Sequence, residues 1–285
     1  MCSLVIASAC AREAAPKQSA ITDDFGDTLV IGASPKRIVT LIPTTTEILY
    51  AIGAGPRVVG RTMYDVSPKE VLAVQDVGNG MRPNVEAILS THPDLVVLYA
   101  STENRDAAHR LRASGVATAA YRTDHISDMA RVTRVFGRLI GDTAAAERTV
   151  DSALATVDRV RKQTATLPHP KVFWPLWESP LLSVGGGSFL DELLVIAGAQ
   201  NIFSELPQPS PQVTFEELLH RDPDLILTGE VTRARLLLDP RWRTLRAVQA
   251  DRILVVDSTI MKGPSARIGA SAVLLARLLH PGVKF

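Results

Sequence analysis

The sequence predicts an α/β protein of two similar lobes, each a parallel sheet with helices on both faces, joined by a single long α-helix. Three observations predict it. Short β-branched apolar runs alternate with stretches of helical period, the pattern of a parallel sheet. A block of the first half recurs in the second half with its parts in the same order. Between the halves lies a segment of helical period that no Gly or Pro interrupts.

In the first half, Ile38 to Ile42 follows Lys36-Arg37 and reads as a buried strand. Pro43-Thr44-Thr45-Thr46 reads as a polar turn, and Glu47 to Ile52 as a helix stopped by Gly53. Val58-Val59-Gly60 is the second strand. A helix opens at Glu86 and runs through Leu89, Pro93-Asp94 punctuates, and Leu95 to Leu98 is the next strand. Arg105 to Ser114 is an amphipathic helix ended by Gly115, and Val116 to Tyr121 a further strand.

Asp128 to Ile140 is helical by period. Asp142 is placed as the N-cap of a helix reaching about Thr166, with Val150, Leu154, Val157 and Val160 at helical spacing. At 1.5 Å per residue this is a stiff rod of about 35 Å. Pro168-His169-Pro170 ends it, and the pattern restarts: Val172-Phe173-Trp174 as a strand, Gly185-Gly186-Gly187-Ser188 as a turn, Phe189 to Ala197 as a helix stopped at Gly198. The expected divisions are an N-terminal signal or tether over 1–35, a first lobe over 36–127, a helical segment with the bridging helix over 128–167, and a second lobe over 168–285.

The repeat is the most informative feature. Val85-Glu86-Ala87-Ile88-Leu89-Ser90-Thr91-His92-Pro93-Asp94-Leu95-Val96 aligns without gaps with Phe215-Glu216-Glu217-Leu218-Leu219-His220-Arg221-Asp222-Pro223-Asp224-Leu225-Ile226. Upstream, Ile48 to Ala54 echoes Leu193 to Ala199, each ending in Gly-Ala. A helix stop before a strand explains either Pro-Asp-Leu alone, but not the same order of parts twice. Two such lobes on one rod form a clamp, and clefts between domains are where ligands bind. A rod resists hinge bending, so lobe closure is expected to be modest.

Composition excludes several classes. The 285 residues suit two lobes rather than one domain. Lys plus Arg number 31 and Asp plus Glu 30, so the basic excess of a nucleic-acid binder is absent. No window holds 18 uninterrupted apolar residues. No GxGxxG follows a strand, and no GxSxG elbow or GxxxxGK[ST] loop occurs. The six histidines are scattered, without a pair at helical spacing for zinc. These patterns favour binding over catalysis and call for no cofactor; a dinucleotide-type enzyme or an intracellular corrinoid carrier stand as the remote alternatives.

The only cysteines are Cys2 and Cys10. Leu4-Val5-Ile6-Ala7-Ser8-Ala9-Cys10 resembles the lipobox of bacterial lipoproteins, in which Cys10 would carry the lipid, although a basic n-region and a long apolar stretch are missing. Attachment to a membrane is therefore expected only through that anchor.

From Lys36 to Pro281 the chain resembles the periplasmic binding proteins that serve cobalamin, ferric siderophores and haem. The residues that carry the resemblance are Pro83 to Leu89 before Pro93-Asp94-Leu95-Val96, Gly187 to Leu193, and Gly198 to Phe203. It implies two Rossmann-like lobes on one long helix and an extracytoplasmic monomer that delivers its ligand to an ABC permease dimer with its ATPase subunits. It also implies that Glu86 and Glu216, heading equivalent helices, dock on the permease; a glutamate favoured by the helix dipole is the plain reading of either alone.

Cleft residues are expected on the loops that follow strand ends. They are Pro43, Thr44, Thr45, Tyr64, Met81 and Arg82 in the first lobe, and Trp177, Lys262 and Arg267 in the second; Trp174 alternates into the core. Aromatic, Met and cationic groups suit a large, flat, partly anionic metal chelate. Thr62 to Pro68 looks most like the cobalamin branch, whereas the tryptophans typical of its best-known receptors fall on Gly80 and Ser210. For haem, Tyr64 would be the axial ligand; for a ferric siderophore, Arg82 and Arg267 would hold the chelate.

Overall fold

The computed structural model describes residues 19–31 and 33–285. Cys10 and the lipobox-like segment lie outside them. The first described element is a hairpin, β1 (Ser19–Thr22) and β2 (Thr28–Ile31), within the stretch read from sequence as a tether. The first lobe continues through β3 (Ile38–Thr40), α1 (Pro43–Ala51), β4 (Val58–Arg61), β5 (Gln75–Asp76), α2 (Val85–Ser90), β6 (Leu95–Tyr99), α3 (Thr102–Ala113) and β7 (Ala117–Tyr121). Its strands form one parallel sheet in the order β5-β4-β3-β6-β7. The hairpin covers the open edge of that sheet. The Ala120 amide donates to Asp23 Oδ2 at 2.9 Å, the Asp24 amide donates to Ala120 O at 2.9 Å, and Arg131 grips the Asp24 carboxylate with both Nη atoms at 2.9 Å. Satisfying an edge strand in this way removes a site of unwanted pairing.

Two helices follow: α4 (Ile126–Ile140) and α5 (Thr143–Thr164). Asp142 caps α5 as expected, accepting from the Ala145 amide at 2.8 Å. The 22 residues of α5 span about 33 Å. The second lobe contains β8 (Lys171–Phe173), β9 (Pro175–Glu178), β10 (Leu181–Ser183), α6 (Phe189–Ile196), β11 (Gln200–Asn201), α7 (Phe215–Arg221), β12 (Leu225–Thr228), α8 (Glu230–Leu238), α9 (Arg246–Gln249), β13 (Ile253–Val255) and α10 (Ile268–Leu279). Its parallel sheet runs β11-β8-β12-β13, and β9 and β10 form a separate antiparallel hairpin.

Side-chain alternation explains how sheets and spine adhere. Ile38, Leu95 and Val97, together with Leu225 and Leu227, face a shared core that includes Ala153, Val157 and Val160 of α5 and Leu275 of α10. Their neighbours Val39, Val96 and Leu98 pack with Ile88 and Leu111 on the other face of the first sheet, and Ile226 packs with Phe173, Leu218 and Trp242 on the other face of the second. Strands buried on both faces read as continuous apolar runs, as these do. The spine is thus welded to both lobes by a core that does not break between them.

Two expectations need correction. Pro43 to Thr46 is not a turn but the first turn of α1, which starts four residues early. Proline suits the first helical position, and the threonine hydroxyls are satisfied internally: Thr45 Oγ1 donates to Ile42 O at 2.8 Å and lies 2.6 Å from Thr40 Oγ1. The second is the stretch between Trp174 and Gly185, where the sequence pattern shows no element because Pro175 interrupts the apolar run, and where β9 and β10 form a hairpin.

Candidate functional site

The loops at the strand ends of the two lobes face one another across a cavity of about 490 Å³. Pro43, Thr44, Tyr64 and Met81 line it from the first lobe and Lys262 from the second. Tyr64 and Met81 are each about half exposed there, at 52% and 54%. The remaining four expected cleft residues do not line it. Thr45 is fully buried in the hydroxyl network at the start of α1. Arg82 points into a separate surface depression with Glu103, Asp106 and Arg110. Trp177 is 62% exposed on the β9–β10 hairpin, its Nε1 donating to Ser179 O at 2.9 Å, while its neighbour Leu176 lines the cavity. Leu176 and Trp177 are consecutive in β9, so their side chains point to opposite faces, Leu176 to the cleft and Trp177 to solvent. Arg267 is drawn out of the cavity by Ser67, to whose Oγ its Nη1 donates at 2.8 Å.

Residues that the sequence did not single out complete the walls. Tyr99 ends β6 and donates through its hydroxyl to Asp124 Oδ1 at 2.7 Å. Burial, with the Asp124 carboxylate adding to it, raises the Tyr99 phenol above its ordinary value, so it stays a neutral donor. Phe189, Leu190 and Pro209 add apolar surface, and both tryptophan-equivalent positions, Gly80 and Ser210, line the cavity. Gly80 admits no larger residue, because a Cβ there would lie 2.1 Å from Leu41 O. The buried Asn104 amide holds this loop, donating to Gly80 O at 3.2 Å and to Tyr99 O at 3.0 Å. Only proximity in the fold marks Tyr99, Asp124 and Asn104; no motif does.

The glycine turn has a structural purpose. A Cβ on Gly185, Gly186 or Gly187 would fall about 2 Å from a carbonyl oxygen of the 204–208 segment, at 2.1, 2.0 and 2.1 Å. The bare backbone lets that segment press close, and its continuation, Pro209-Ser210, becomes a cleft wall. The lobes touch at both ends of the cleft. At one end Thr44 Oγ1 donates to Lys262 O at 3.2 Å, beside the Arg267–Ser67 bond. At the other the Phe189 amide donates to Asp124 O at 2.9 Å, and Glu192 takes His125 Nδ1 at 2.6 Å and the Ile126 amide at 2.9 Å.

Glu86 and Glu216 occupy the same position in the first turns of α2 and α7. Both are exposed, and among the described residues neither forms an ion pair. Among the described residues there is no cluster of three His, Cys, Asp or Glu able to hold a metal ion, and no helix long and apolar enough to cross a membrane.

Two parallel-sheet lobes on a helical spine, enclosing a mostly apolar cleft, define a two-lobed substrate-binding protein. The chain belongs to the periplasmic binding protein family, whose model matches residues 38–259. It is 28% identical over 270 residues to an uncharacterized ABC transporter substrate-binding lipoprotein, YvrC, of Bacillus subtilis, covering 92% of this chain and 85% of that one. The crystal structure of the periplasmic vitamin B12 binding protein BtuF of Vibrio cholerae superposes with a TM-score of 0.74 at 25% identity, covering 86% of this chain and 97% of that one. A periplasmic heme binding protein from Pseudomonas aeruginosa shares the fold with a TM-score of 0.80 at 22% identity, over 88% and 94% of the two chains.

Proposed function

We propose that this protein captures a corrinoid between its lobes outside the cytoplasmic membrane and hands it to an ABC permease. The charge balance of the cleft carries the reading. With Arg82 and Arg267 turned elsewhere, the cavity is lined among the described residues by one cation, Lys262, and one carboxylate, Asp124. An anionic ferric siderophore needs several cations to offset its desolvation, and the propionates of haem would lie near the Asp124 carboxylate with Lys262 alone among the lining cations to pair them, since Arg122, 3.9 Å from Asp124 Oδ2, is not in the lining. A corrinoid ring edge, rich in neutral amides, finds a carboxylate acceptor, a lysine donor and hydroxyls at Thr44 and Tyr64. Its flat face finds Met81, Phe189 and Leu176.

Haem is the second reading. It is favoured by the half-exposed Tyr64 phenol, which stands free to approach an iron. Titration of the purified protein with cyanocobalamin and with haemin separates the two. Saturable tryptophan quenching by cobalamin, weakened in Asp124→Ala, supports the corrinoid. A tyrosinate-type haem spectrum that vanishes in Tyr64→Phe, without cobalamin binding, overturns it. Docking of the permease on Glu86 and Glu216, and membrane attachment through Cys10, complete the proposal.

A further inference from the structure

We infer that a second groove, beside the spine at the joint between the lobes, binds a phosphate group. The groove measures about 630 Å³ and is walled by one face of α5, the start of α10 and the last residue of α1. Its charged lining residues are Arg148 and Arg267, and no carboxylate lines it. Arg148 enters no hydrogen bond or ion pair among the described residues. Arg267 is half-buried and spends one Nη1 donor on a neutral oxygen, Ser67 Oγ, at 2.8 Å. Asp257, one acid that feels its charge, is held low first by its bond from Thr259 and forms no ion pair with Arg267.

The α5 wall adds hydroxyls. Thr149 and Thr156 direct their hydrogens to Ala145 O and Ser152 O, at 2.9 and 3.0 Å, within the helix, whereas Ser152 leaves its own hydroxyl free among the described residues. Two planar guanidinium forks from separate elements, with unused donors and a free hydroxyl lining the same groove, match an oxyanion that presents oxygens in several directions. A carboxylate offers only two oxygens in one plane, so phosphate is the better fit. A phosphate held by Arg148 and Arg267 would fasten the start of α10 to the spine, beside the bond by which Arg267 reaches Ser67 of the first lobe. This inference does not depend on which ligand the main cleft takes.

Phosphate could arrive free or on a lipid headgroup, and the test distinguishes these. Calorimetry with inorganic pyrophosphate reads the free form; co-sedimentation with phosphatidylglycerol vesicles, against phosphatidylcholine vesicles, reads the lipid form. We expect saturable one-to-one binding in one arm, a higher thermal midpoint with bound anion, and at least tenfold weaker binding in Arg148→Gln and in Arg267→Gln. Ser67→Ala keeps the cation and loses only its tether, so it should retain binding even if Arg267→Gln unfolds; Arg159→Gln, elsewhere on α5, should bind as the parent does. No saturation in either arm, or unchanged affinity in Arg148→Gln, overturns the proposal.

Discussion

Asp94 and Asp224 make the same bonds in the two lobes. Asp94 Oδ1 accepts from the Arg37 amide at 3.0 Å while its own amide donates to Arg37 O at 2.9 Å, and Oδ2 takes the Lys36 amide in addition at 2.7 Å. Asp224 Oδ2 accepts from the Lys171 amide at 2.8 Å while its own amide donates to Lys171 O at 2.9 Å. Each carboxylate therefore caps the start of the strand beside its own. Two residues earlier, His92 and Asp222 both take left-handed φ, at 49° and 47°. The repeated Pro-Asp-Leu is the trace of this arrangement. Asp94→Ala and Asp224→Ala should each cost about 1–2 kcal/mol, because the caps are exposed. Urea unfolding should show the loss, with ligand affinity unchanged.

The two Gly-Ala turns also match. Gly53 and Gly198 have φ of 82° and 76°, and the amides of Ala54 and Ala199 reach back to Leu49 O at 2.8 Å and Leu194 O at 2.9 Å. Their surroundings differ. A Cβ on Gly53 meets nothing within 4 Å, whereas one on Gly198 falls 2.7 Å from Thr164 Cβ and 2.9 Å from His280 Nε2. Gly53→Ala should cost about 1 kcal/mol for the left-handed backbone alone. Gly198→Ala should lose a further 1–3 kcal/mol or so to overpacking. Equal losses on denaturation would contradict this.

Asp65 is buried beside the cleft loop. Its Oδ2 accepts from the Thr62 amide at 2.9 Å and from Thr62 Oγ1 at 2.5 Å, while Oδ1 has no partner. Burial outweighs those bonds and raises its pKa. A carboxylate raised in the folded state opposes folding once it ionises, so stability falls as pH climbs from the ordinary carboxylate value through the raised one. Asp65→Asn keeps an acceptor for Thr62 and should unfold at a higher temperature than the parent at neutral pH. That advantage should shrink below about pH 4; melting curves across the acid range check the sign.

Ser210 is exposed on the cleft wall, whereas Gly80 is closed in by Leu41 O. Ser210→Trp should add a stacking face and tighten cobalamin binding severalfold. Gly80→Ala should destabilise the first lobe instead. Fluorescence titration of the first and thermal melting of the second test the pair.

Glu86 and Glu216 head equivalent helices without ion-pair partners. Reversing both, Glu86→Arg with Glu216→Arg, should abolish ligand uptake by cells while leaving affinity in the cleft intact. Normal uptake by the double variant counts against docking at these positions.

Architecture was legible in the chain because it depends on local periodicity and on a duplicated order of parts. The apolar runs, the Asp142 cap, the uninterrupted α5 and the repeated Glu-headed helices all declare themselves over a few residues. The cleft was half legible. Pro43, Thr44, Tyr64, Met81 and Lys262 follow strand ends, Pro43 and Thr44 on the first turn of α1, and do line it, since position after a strand end follows from strand order. Tertiary packing decided the rest. Arg267 turns away because Ser67, 200 positions earlier, offers an acceptor. Trp177 yields its place to Leu176 because the two alternate along β9, whose facing is set by tertiary packing, and the Tyr99 hydroxyl is committed to Asp124, 2.7 Å away. A side chain's direction is set by partners distant in sequence, and no local pattern encodes them.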